Sequence, residues 1–157
     1  VRSMALIHEH LYGTEELGRI DLSDYVQDLC SSVAASYGLN NVQVLPKVDD
    51  IVLNIDTAIP CGLIINELLS NALKYAFPEG KGCVRIEVRR APEGEMGYVM
   101  TVADDGVGLP ASVDPTASAS LGLQLVHALA QQIHGVLTCD RQGGTTMRIH
   151  FNTLRPA

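Results

Sequence analysis

The sequence predicts an α/β two-layer sandwich, with a mixed, mostly antiparallel sheet and about three helices on one face. Three observations lead there. Segments beginning near Ser23, Asp56 and Ser120 repeat apolar residues every three or four positions, the period of an amphipathic helix. About six short β-rich runs lie between and after them, most joined by Pro, Gly and Asp turns. The chain has 157 residues, 46% of them hydrophobic and 18% charged. That length suits one domain burying roughly 70% of the surface its unfolded form exposes.

Taken in order, residues 1–14 carry Met4, Leu6, Ile7 and Leu11 at helical spacing before Gly13, and so read as the last turns of a helix. Residues 15–157 form the domain proper. Ser23 is placed to cap a helix running through Tyr25, Val26, Leu29 and Val33 to Gly38. Val42–Leu45 and Ile51–Ile55 suggest a hairpin or two neighbouring strands, separated by Pro46 and the Asp49-Asp50 turn. From the candidate cap Asp56, with Pro60 near the first turn, runs the strongest helix, stopped by Pro78 and Gly80. Strands Cys83–Val88 and Tyr98–Ala103 follow. A Pro-, Ser- and Ala-rich loop from Leu109 to Ser120 then leads into a helix closed by Gly135, and its composition predicts mobility without ligand. Val136–Asp140 and Thr145–Phe151 meet at Gln142-Gly143-Gly144, a hairpin signal.

Charge and composition remove several function classes. A net charge of −7 argues against nucleic acid or an anionic membrane as partner, because both are held by clustered positive charge. Any anionic ligand must be held locally. No apolar run approaches the roughly 18 residues of a membrane span. The first segment, broken by His8, Glu9 and His10, does not read as a signal peptide, so a cytoplasmic location is expected, with membrane attachment of a longer protein left open. The four cysteines, Cys30, Cys61, Cys83 and Cys139, show no metal-ligand spacing and read as reduced thiols. His127 and His134 read as structural or surface residues.

Three constellations carry chemistry. Glu67, Asn71 and Lys74 stand at i, i+4 and i+7 and fall within an arc of about 60° on a helix whose opposite side is apolar. They set a carboxylate, an amide oxygen suited to Mg²⁺ and a cation suited to phosphate on one stripe; a solvated polar face is the plainer alternative. Asp104-Asp105-Gly106-Val107-Gly108 follows a strand, where glycines admit a flat ligand and a carboxylate accepts from an exocyclic amine, as on adenine. The run Gly106–Ala111 also matches a dinucleotide fingerprint formally, but Pro110 and Pro115 forbid the helix that should open there. Ser120-Leu121-Gly122-Leu123 opens a helix whose N-terminus suits an anion.

The ordered set Glu67-x-x-x-Asn71-Ala72-x-Lys74, Asp104-x-Gly106-x-Gly108, Leu121-Gly122-Leu123 and Gly143-Gly144-Thr145 resembles the N, G1, G2 and closing boxes of the Bergerat-fold ATPases. Within them it is similar to the catalytic and ATP-binding domain of bacterial sensor histidine kinases. Residues 3–12, SMALIHEHLY, are similar to the end of the second dimerisation helix in the subgroup with a His-Arg-x-x-x-Asn acceptor motif. The resemblance implies ATP and Mg²⁺ as cofactors. Asp104 would accept from the adenine amine, Asn71 would ligate Mg²⁺, Lys74 would contact phosphate, and Glu67 would stand at the superfamily's base position. Gly106, Gly108 and Gly122 would let a lid close, Tyr75, Leu121 and Leu123 would line the nucleotide, and Thr145 would support Asp104 or a nearby water. The implied reaction moves the ATP γ-phosphoryl group to a histidine upstream of Val1. Implied partners are the upstream dimerisation and phosphoacceptor helices, a response regulator and a second copy in a homodimer. An anti-sigma-factor-type serine kinase and a transfer-inactive nucleotide-binding module are the alternatives.

Overall fold

In the computed structural model the described residues are 18–95, 97–109, 112 and 120–152. The elements run β1 (Arg19–Asp21), α1 (Leu22–Tyr37), β2 (Asn41–Val48), β3 (Val52–Asn54), α2 (Ile55–Tyr75), β4 (Lys81–Arg90), β5 (Tyr98–Asp104), α3 (Leu121–Gln132), β6 (Val136–Asp140) and β7 (Thr145–Phe151). Five strands form one sheet in the order β2-β4-β5-β7-β6, with β2 parallel to β4 and the other pairs antiparallel. The expected helical segment 1–14 and most of the expected mobile loop lie outside the described residues.

Strand periodicity sets the two faces of the sheet. Val84, Ile86 and Val88 of β4, Met100 and Val102 of β5, and Met147 and Ile149 of β7 are all buried under the helices. The alternating Arg85, Thr101 and Arg148 fall on the opposite, open face, as a two-residue repeat requires. The central helix α2 touches both α1 and α3 as well as strands below it. Three of its sides therefore need apolar cover, which Ile64, Ile65, Leu68 and Leu69 supply, and one stripe is left for polar groups. Burial pushes the thiols of Cys30 and Cys61 up to about 12, so neither is a thiolate at neutral pH.

Several local expectations are corrected. Asp21, not Ser23, caps α1: its Oδ1 accepts from the Asp24 N–H at 3.2 Å, and Gly38 ends the helix in the left-handed region at φ 62°. Asn54 precedes α2, Asp56 falls in its first turn, and Pro60 lies inside the helix. The hairpin reading of the β2 and β3 segments fails, because β2 pairs with β4 whereas β3 pairs antiparallel with β1 in a separate ribbon. Strand β2 continues through Pro46 because it is an edge strand, where a missing N–H leaves no central ladder bond unmade. Asp49 secures its exit: the Asp49 N–H donates to the Val88 carbonyl at 2.9 Å, and Asp49 Oδ2 accepts from the Arg90 N–H at 3.1 Å. After α3 the left-handed residue is His134, at φ 55°, rather than Gly135.

Candidate active site

The polar stripe of α2 forms one wall of a pocket of about 700 Å³, closed by the end of β5 with its loop, the first turn of α3 and the start of β7. Glu67, Asn71, Lys74, Tyr75, Asp104, Gly108, Leu121, Gly122, Leu123 and Thr145 all line it. Gly106, expected with them, does not. A Cβ there would stand 2.1 Å from the Ala76 carbonyl oxygen, so this glycine lets the loop press on the end of α2. The Val107 N–H donates to that same carbonyl at 2.9 Å and fixes the approach.

Asp104 is half-buried at the end of β5. Its Oδ1 accepts from the Gly106 N–H at 3.0 Å and the Thr145 N–H at 3.3 Å, while Oδ2 takes no hydrogen bond from any described residue. Burial raises its carboxyl above the usual carboxylate range; the two N–H donors oppose the shift, and neighbouring Asp105 adds to it. The site thus holds a carboxylate with one oxygen tied and one free to accept from a ligand amine. Thr145 supports Asp104 through its backbone rather than its hydroxyl, since Thr145 Oγ1 accepts from the Leu109 N–H at 2.9 Å and so holds the loop. Between them Gly108 adopts φ 75°, a left-handed conformation that costs glycine little. Asp105 serves the fold instead: its Oδ1 accepts from the Cys83 N–H at 2.8 Å.

Composition gave no sign of the apolar walls, Leu68, Ala72, Val102 and Met147. Their residue types match those of the packed core, to which they also belong, and only the tertiary fold sets them along a cavity. Around the mouth Tyr75, Val107 and Leu121 are 70%, 68% and 82% exposed, an apolar rim on a polar opening. Ser120 Oγ accepts from the Leu123 N–H at 3.2 Å, leaving the N–H groups of Leu121 and Gly122 for water or an anion. Asn71 and Glu67 offer hard oxygen donors, but no group of three or more His, Cys, Asp or Glu able to hold a metal occurs among the described residues. That donor set fits Mg²⁺, which keeps waters and takes the rest of its shell from substrate phosphates.

A half-buried carboxylate, apolar walls, and a lysine beside a helix N-terminus in one cavity suit a nucleotide, and with this fold they point to the class of nucleotide-binding α/β domains. Comparison with known proteins makes this specific. Residues 57–155 match the model of the histidine kinase-, DNA gyrase B- and HSP90-like ATPases, and the chain belongs to that family. Residues 1–37 match a second model, described as histidine kinase. The chain is 30% identical over 131 residues to blue-light-activated histidine kinase 2 of Erythrobacter litoralis, covering 83% of this chain and 38% of the relative. It is 32% identical over 134 residues to sensor histidine kinase PdtaS of Mycobacterium tuberculosis, covering 82% and 26%. It thus spans well under half the length of these curated relatives. The histidine kinase domain of the E. litoralis EL346 blue-light activated kinase superposes with a TM-score of 0.86 at 26% identity, covering 96% of this chain and 76% of that one. The ATP binding domain of M. tuberculosis PrrB shares the fold, with a TM-score of 0.63 at 20% identity over 88% and 97% of the two chains. The described domain is a histidine-kinase ATPase domain homologous to those of sensor histidine kinases.

Proposed function

We propose that this domain holds Mg-ATP in the α2–α3 pocket and passes its γ-phosphoryl group to a histidine of paired phosphoacceptor helices, which residues 1–14 begin to join to the domain. The observation that supports this most is the convergence of Asp104, Asn71, Lys74 and Glu67 on one cavity from two separate elements. Asp104 Oδ2 accepts from the adenine amine, the apolar walls sandwich the base, and Lys74 with the first turn of α3 neutralises phosphate charge. Asn71 would hold Mg²⁺ through its amide oxygen, and the ion would offset phosphate charge. In the transfer an imidazole nitrogen bonds to the γ-phosphorus, the bond from that phosphorus to the bridging oxygen breaks, and ADP leaves. Glu67 takes the imidazole proton. The further partners of this reading are a response regulator and a second copy of the longer protein. A serine-directed kinase is disfavoured by the histidine-kinase match over residues 1–37.

Labelled ATP tests the reading. Mixed with a phosphoacceptor helix pair, the chain is expected to place acid-labile, alkali-stable label on that pair and none on itself. Alkali-labile label would instead indicate transfer to serine. Asn71→Ala is expected to weaken Mg²⁺-dependent ATP binding while adenosine binding stays nearly unchanged, because an oxygen donor to the metal would matter only for a ligand that carries phosphates. Equal losses for both ligands in calorimetric titration would show that Asn71 supports the fold instead.

A further inference from the structure

We propose that Gly122 is a positioning residue for Glu67: its missing side chain leaves the space in which the Glu67 carboxylate sits. A Cβ built at residue 122 would stand 2.9 Å from Glu67 Oε2, 3.9 Å from its Cδ and 3.8 Å from Asn71 Nδ2. These three are the nearest heavy atoms to it, and all belong to side chains of α2. Gly122 is not one of the positive-φ glycines, so no backbone conformation demands glycine there. It occupies the second position of α3, where alanine would favour the helix more. Space for the carboxylate is a reason that the packing itself supplies.

Gly106 and Gly122 differ in what an added methyl group would meet. At Gly106 a Cβ meets backbone, the Ala76 carbonyl, so a methyl group there must move the chain. At Gly122 the one close approach among the nearest atoms is to the far end of a flexible side chain, so a methyl group displaces Glu67 and leaves the chain where it is. Glu67 and Gly122 belong to different helices and both line the pocket. The first turn of α3 therefore decides where, above α2, a proton-accepting oxygen is held. A misplacement of about 1 Å at a reacting group slows a reaction about 100-fold.

This proposal rests on Glu67 acting in transfer, and the experiment separates the two ideas. Gly122→Ala, Glu67→Gln and the double variant are compared for thermal midpoint, ATP affinity and transfer to a phosphoacceptor helix pair. The ¹³C shift of a labelled Glu67 carboxylate is recorded for the parent chain and Gly122→Ala. Gly122→Ala is expected to keep or raise the midpoint, hold ATP affinity within about threefold, move the carboxylate shift and slow transfer at least tenfold. Added to Glu67→Gln it is expected to cost nothing more, because the group it displaces is already disabled. A lowered midpoint, an unmoved carboxylate, a normal rate beside a slowed Glu67→Gln, or an additive loss in the double variant would each overturn the role of Gly122. A normal rate in Glu67→Gln would overturn the reading of Glu67 itself.

Discussion

Glu67→Gln is expected to slow phosphoryl transfer by about 10²- to 10⁴-fold, the range over which a positioned acid or base contributes. ATP affinity is expected to stay within about threefold of the parent, because the substitution keeps the shape and polarity of the side chain. Rapid-quench measurement of labelled acceptor at saturating ATP separates the two quantities. A fall in rate and in rate over KM by the same factor marks an interaction made in the transition state. If affinity fell and the saturated rate did not, Glu67 would be a binding group, and the proton would leave by another route.

Asp104→Ala is expected to lower affinity for ATP, ADP and adenosine alike by about 10- to 150-fold, since a hydrogen bond to a charged group contributes roughly 1.5–3 kcal/mol. Adenosine lacks phosphates, so equal losses across the three ligands would locate the defect at the base. Affinity is also expected to depend on pH. Burial raises the Asp104 carboxyl, and its protonated form presents a donor where an acceptor is needed. Adenosine binding should therefore weaken as pH falls through a value above the usual carboxylate range, and it should be full above that. Asp104→Asn cannot titrate, so its profile over the same range isolates the titration of the base itself. Parent-like adenosine affinity in Asp104→Ala, with GTP competing equally, would remove the adenine assignment.

Much of this fold and site is legible in the sequence, for physical reasons that differ by element. The stripe of α2 was readable because a carboxylate, an amide and a cation fall on one side of the helix at its own period, opposite an apolar side. The β4–β5 and β6–β7 hairpins were readable from their turns. The pairing of β2 was not, since its alternating exposure is the same whether a strand joins its sequence neighbour or a parallel partner far along the chain. Asp21 and Ser23 both carry a capping oxygen two positions apart, and tertiary placement decided between them. Gly122 was singled out as part of a motif, but its neighbour Glu67 lies on another helix, beyond the reach of any local pattern.

The pairing of Asp104 with Thr145 has a consequence for folding. These residues are direct cross-strand partners on β5 and β7, though the whole of α3 and β6 separates them in sequence. A slip of one residue in that ladder would turn Asp104 to the open face and unmake the adenine acceptor. Partly assembled chains therefore have no site, and adenine nucleotide serves as a probe of correct sheet register. A ligand that binds only the native state adds its binding free energy to global stability, about 2.7 kcal/mol at 100 times its Kd. In refolding, nucleotide-dependent protection should therefore appear with the last long-range strand pairing, and it should extend to amides of β4 and β7 that no nucleotide touches.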